Sequence, residues 1–88
     1  MAEFTLYGRA NCAHCEQLRF ALELIQNSGR VAHFPEYSYV DVDSDAALQE
    51  KYGLSVPVLI HDSNTICEGV FDIENLERDL LAAFAAAS

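Results

Sequence analysis

An α/β fold of order β-α-β-α-β-β-α, with a four-stranded mixed sheet flanked by three helices, follows from three features of the sequence. Runs rich in β-branched and aromatic residues alternate with stretches whose apolar side chains recur at helical spacing. Short turn signals separate these runs, without repeats, low-complexity linkers or charge blocks. The second half closes on two strands joined only by Asp62-Ser63-Asn64, the chemistry of a tight hairpin. The 88 residues fit one small domain, 1–88. Apolar residues make up 51% of the chain, enough for a core without disulfide staples, and in the absence of Trp that core is Leu, Ile, Val, Phe and Tyr.

Residues 3–7 (EFTLY) read as the first strand. From about 12 to 27, Cys15, Leu18, Leu22 and Ile25 form one helical stripe, with Ala21 and Leu24 beside it. Ser28-Gly29 ends that helix, because glycine tolerates the left-handed position that follows. Residues 34–42 (FPEYSYVDV) form the second strand, with Pro35 near its start, where a missing N–H costs least. Asp43 or Ser44 caps a short helix running through Leu48 to Tyr52 and closed by Gly53. Residues 57–61 (PVLIH) make the third strand, and Thr65 to Glu68 return as the fourth. Asp72 is the expected N-cap of the last helix, with Phe71 and Leu76 at the positions of a hydrophobic staple. Leu76, Leu80, Leu81 and Phe84 then line one face, and the AAAS end frays. The first β-α-β unit implies a right-handed crossover between parallel strands, and the closing hairpin an antiparallel pair.

The formal net charge is -9, with no Lys/Arg cluster, a field that repels phosphate backbones and anionic lipid surfaces. Nucleic acid and membrane are therefore excluded as expected partners. No apolar run approaches the ~20 residues that span a bilayer. The start, MAEFTLYGR, lacks the basic and apolar regions of a secretory signal. The expected location is the cytoplasm, where a close cysteine pair is more often catalytic or metal-binding than structural.

Cys12 and Cys15 form such a pair, in GRANCAHCEQL, between the first strand and the first helix. Three readings compete. As a redox pair, Cys12 sits at a helix N-terminus, where unpaired N–H groups and the macrodipole favour a thiolate. Cys15 lies one turn on, within reach to resolve a mixed disulfide, and its place on the apolar stripe buries it. Cys12 then attacks and Cys15 releases the product. His14, when charged, favours the thiolate and makes the pair more oxidising. Arg9, three residues before Cys12, adds positive charge on the same side. As a metal site, the pair needs two further ligands; Cys67 and a histidine are on offer, but the chain has no second C-x-x-C and no H-x₃-H. As an accident, three cysteines in a small chain fall close by chance. The strand before and the helix after favour thiol chemistry, with no metal and no bound cofactor.

Other residues carry weaker signals. Val56-Pro57 opens the third strand; X-Pro is the only bond that adopts cis cheaply, and a trans proline beginning an edge strand is the plain alternative. Cys67 reads as a packed strand residue. His33 and His61 read as surface or hydrogen-bonded residues. Asp41, Asp43 and Asp45 lack the glycine and terminal glutamate of a calcium loop and read as a strand end and helix cap.

With these residues in place, the chain resembles the glutaredoxin branch of the thioredoxin-fold superfamily, and most nearly its small bacterial glutaredoxin-like proteins. The resemblance spans nearly the whole length and rests on FTLYGRANCAHC, YGLSVPVLI and GVFDIENL. It implies a thioredoxin-like fold and thiol–disulfide oxidoreductase activity, with Cys12 as nucleophile and Cys15 as resolving thiol. It also implies a cis peptide at Val56-Pro57 and a glutathione groove made by Arg9, the Val56 backbone, Pro57 and the region of Gly69 and Asp72. The implied partners are protein or low-molecular-weight disulfides, with glutathione as a co-substrate, met by a monomer. Ala13-His14 stand where proline and an aromatic are usual, and Gly69 stands alone where paired glycines are usual. The acidic surface opposes glutathione, itself an anion. The alternative function is a non-catalytic thioredoxin-fold module that holds a peptide or a metal.

Overall fold

The computed structural model describes residues 4–31, 34 and 36–85. Strands β1 (Phe4–Gly8), β2 (Ser38–Asp41), β3 (Val58–His61) and β4 (Asn64–Glu68) form one sheet in the order β2-β1-β3-β4. β1 is parallel to β2 and antiparallel to β3, and β3 is antiparallel to β4. Helices α1 (Ala13–Ser28), α2 (Ala46–Tyr52) and α3 (Ile73–Ala85) complete the expected order.

Alternation along the strands gives the sheet two faces. On one face Phe4, Leu6 and Leu59 meet Leu18, Leu22 and Ile25 of α1 and Leu76, Leu80 and Phe84 of α3. This is the main core. On the other face Thr5, Val58 and Ile60 are buried, and the Tyr7 ring stacks on Tyr52 of α2 with centroids 4.5 Å apart. All four residues of β3 are buried because both faces of this strand are covered. At the amino end of β1, Phe4 packs edge-on against Phe34 and Phe84 at 5.7 and 5.3 Å.

Several expected boundaries move, each for a local reason. β2 begins at Ser38 rather than at 34, and Phe34 and Tyr37 pack against the core from outside the strand. Pro35, His33 and all but the first residue of the AAAS end lie outside the described residues. β2 stops at Asp41, because the Asp41 side chain accepts from the Asp43 N–H at 2.9 Å and its carbonyl accepts from the Ser44 hydroxyl at 2.6 Å. That turns Val42–Ser44 into a 3-10 helix and buries Val42. The cap of α2 is therefore Asp45, whose carboxylate accepts from the Ala47 N–H at 2.8 Å, and not Asp43 or Ser44.

The hairpin turn has two residues, Asp62 and Ser63, both at positive φ (52° and 71°), and Asn64 already pairs with His61. Positive φ at both central positions is the twist that suits a two-residue hairpin. α1 ends as expected, with Gly29 left-handed at φ 73°. Asp72 caps α3 through the Glu74 N–H at 3.0 Å. Leu24 and Leu81 are corrections: at 47% and 42% exposed, they lie outside the stripes that bury their neighbours. Of the two readings left open for His61, the surface one does not hold: the residue is buried, its ring 4.9 Å from that of Phe84.

Candidate functional site

The strand register gathers the candidate residues at one end of the sheet. Gly8, the last residue of β1, pairs with Asp41, the last of β2. Tyr7 pairs with Val58, the first residue of β3, and Val58 with Glu68, the last of β4. The chain segments that leave this end are 9–12, 42–45, 56–57 and 69–72. In open α/β sheets chemistry collects at such ends.

Cys12 is the N-cap of α1, in extended conformation, and Cys15 is one turn further on. The two are joined in a disulfide, with Cα atoms 5.2 Å apart. Cys12 Sγ accepts from the backbone N–H of Cys15 at 3.2 Å. A sulfur thus takes the place usually held by a Ser, Thr or Asp oxygen. Cys15 is fully buried, whereas Cys12 retains access to solvent. Asn11, just before Cys12, is left-handed at φ 59°, a conformation that asparagine tolerates better than most residues. It turns the chain from β1 into α1. His14 lies exposed in the first turn of α1.

Arg9 does not stand free. Its Nη2 lies 2.7 Å from Asp43 Oδ1, its Nε 3.4 Å from Asp43 Oδ2, and its Nη1 donates to the Gly53 carbonyl at 3.1 Å. Gln49 Nε2 donates to the same Asp43 oxygen at 3.0 Å. The hydrogen bond from Arg9 pulls the Asp43 carboxyl below its ordinary range, and Asp43 raises the guanidinium in return. Gly53 suits this place because a Cβ there would collide with the Gln49 carbonyl oxygen.

Val56-Pro57 is a cis peptide. The Gly69 N–H donates to the Pro57 carbonyl at 2.8 Å, which ties the exit of β4 to the entry of β3. Asp72 follows at the start of α3. Cys12, Cys15, Arg9, Val56, Pro57, Gly69 and Asp72 therefore share one end of the sheet. Cys67 lies on β4 opposite Leu59, half-buried against the core beside a cavity of about 240 Å³ between β4 and α3. Burial pushes its thiol up to about 11, so it stays protonated at neutral pH. Among the described residues no three His, Cys, Asp or Glu side chains converge as a metal ion would require, and no helix is long and apolar enough to cross a membrane.

Asp43 and the Gly53 carbonyl are the partners that the sequence alone did not identify. The D-x-D-x-D spacing marked the region, but not the division of labour: Asp41 closes the turn, Asp43 holds Arg9 and Asp45 caps α2.

Residues 3–81 match the family model of the glutaredoxin-like domain (DUF836). The X-ray structure of the structural-genomics target protein XcR50 from X. campestris is 33% identical, covering 91% of this chain and 97% of its own, with a TM-score of 0.70. The NMR structure of protein Ne2328 from Nitrosomonas europaea is 22% identical over 98% of this chain and 89% of its own, with a TM-score of 0.66. A mutant thioredoxin from Halobacterium salinarum is 22% identical over 93% of this chain and 74% of its own, with a TM-score of 0.64. These likenesses make the fold thioredoxin-like. No curated protein matches the sequence.

Proposed function

The chain belongs to the glutaredoxin-like domain family, and from that premise we propose that it is a thiol–disulfide oxidoreductase working through Cys12 and Cys15. The observation that carries the reading is their disulfide at the start of α1, with the Cys15 N–H aimed at Cys12 Sγ. In the reduced protein the Cys12 thiolate attacks one sulfur of a substrate disulfide. The substrate S–S bond breaks, a Cys12–substrate disulfide forms, and the first substrate sulfur leaves and takes up a proton. Cys15 then gives up its proton and attacks Cys12 Sγ. The Cys12–Cys15 disulfide forms and the second substrate thiol departs. Two electrons pass from the dithiol to the substrate, and an external thiol or dithiol restores the pair by the reverse steps. A cytoplasmic setting supplies such a reductant.

The partners we propose are protein or low-molecular-weight disulfides. Val56 and Pro57 form the neighbouring wall of the site, and Gly69 and Asp72 its far rim. The test mixes pre-reduced protein with hydroxyethyl disulfide and weighs the acid-quenched products. Wild type ends as the intramolecular disulfide. Cys12→Ser forms no adduct at the active site. Cys15→Ser halts at a mixed disulfide on Cys12. Two thiols in the wild type that remain free throughout would leave the chain a non-catalytic binding module.

A further inference from the structure

The charges around the pair carry a consequence for its substrate. Five Lys and Arg residues stand against fourteen Asp and Glu. Each arginine has a carboxylate within reach: Arg9 has Asp43, Arg19 has Glu16, Arg30 has Glu77 and Arg78 has Asp79. Lys51 lies over the Tyr52 ring, 5.2 Å from its centroid. Arg9 is the only arginine or lysine in the segments that leave the reactive end of the sheet. Its side chain is bound on two sides, by Asp43 at 2.7 Å and by the Gly53 carbonyl at 3.1 Å. Asp41 acts on the same guanidinium from the end of β2. Glu68 and Asp72 stand at the far rim, and among the described residues no arginine or lysine forms an ion pair with either. Exposed apolar side chains also flank this end: Leu54, next to Gly53, is 105% exposed, and Val70, next to Gly69, is 81% exposed.

We infer that this site selects by charge: it takes disulfides whose flanking groups are neutral or cationic, and the Arg9–Asp43 pair makes it a poor site for anionic disulfides such as that of glutathione. The inference rests on the proposed dithiol chemistry and narrows its substrate. An anionic disulfide meets repulsion from Glu68 and Asp72 at the rim, while the Arg9 guanidinium is already held by Asp43. Asp43 is a positioning residue here; it acts through Arg9 and touches no reacting atom.

The test uses three small disulfides of one reaction type: cystamine (cationic), hydroxyethyl disulfide (neutral) and glutathione disulfide (anionic). Rates of oxidation of the reduced protein are measured at low ionic strength. Each is divided by the rate of dithiothreitol with the same disulfide, which removes intrinsic reactivity. The expected order is cystamine, hydroxyethyl disulfide, glutathione disulfide, with about tenfold between the extremes, narrowing toward parity in 1 M salt. Any other order overturns the inference while leaving the dithiol chemistry standing. No reaction with any of the three would sink the oxidoreductase reading itself.

Asp43→Asn should raise the glutathione-to-hydroxyethyl rate ratio several-fold, and adding Arg9→Gln should erase that gain. A ratio unmoved in Asp43→Asn, with the fold intact by circular dichroism, removes the Arg9–Asp43 pair from the explanation.

Discussion

The backbone N–H of Cys15 donates to the Sγ of Cys12 at 3.2 Å, although Cys15 itself is fully buried. One residue thus supplies a donor to the outer sulfur and hides its own. A donor aimed at Cys12 favours that sulfur when it is negative, and burial disfavours a charge on Cys15. After reduction we expect Cys12 to react with iodoacetamide at neutral pH at least tenfold faster than Cys15. Peptide mapping of partially alkylated protein reads the ratio, and equal rates would contradict the division of labour.

Cys67 should behave differently from both. Burial raises its thiol to about 11. Its alkylation in the Cys12→Ser/Cys15→Ser background should be slow at pH 7 and should climb steadily through pH 10. A plateau reached near the ordinary thiol value of 9.0 would show that the half-buried position imposes no penalty.

The Arg9–Asp43 pair gives stability a pH signature. The Asp43 carboxyl lies below its ordinary value of 3.8 in the folded chain. Its contribution is therefore fully present above that value and disappears as pH falls through the lower, folded one. Thermal melts of wild type and Asp43→Asn should differ by a constant amount between pH 5 and 7 and converge as pH falls through the lowered, folded value. A difference that persists at the lowest pH would assign the stability to something other than the charge.

Two neighbouring leucines on α3 should separate cleanly. Leu80 is fully buried in the main core and Leu81 is 42% exposed. Leu80→Ala should cost about 2–5 kcal/mol, and Leu81→Ala no more than about 0.5 kcal/mol. Urea unfolding of both variants in one fixed redox state measures this. Similar losses would mean that the buried face of α3 is wider than the structure shows.

The order of elements and the place of the cysteine pair were legible because their causes are local. The EFTLY strand, the helical spacing of Cys15, Leu18, Leu22 and Ile25, and the Asp72 cap are each decided within a few residues. Other features depend on distant partners. Three aspartates at alternate positions look alike in sequence, yet Asp43 is set apart by Arg9, thirty-four positions earlier. The Asp41 turn ends β2 and leaves the cap of α2 to Asp45. Leu24 and Leu81 fit a helical stripe on paper, but the width of the stripe is set by how α1 and α3 meet the sheet. His61 was open to a surface or an interior place, and its position beside the rings of Phe4 and Phe84 decides for the interior.

The most direct measurement equilibrates the protein against a series of 2-mercaptoethanol to hydroxyethyl disulfide ratios, traps free thiols by alkylation and weighs the species. We expect a single two-electron transition in which Cys12 and Cys15 pass together from two alkylated thiols to one disulfide, while Cys67 stays reduced. Two thiols that remain free at every ratio would contradict a redox-active pair, as would a disulfide that joins Cys67 instead.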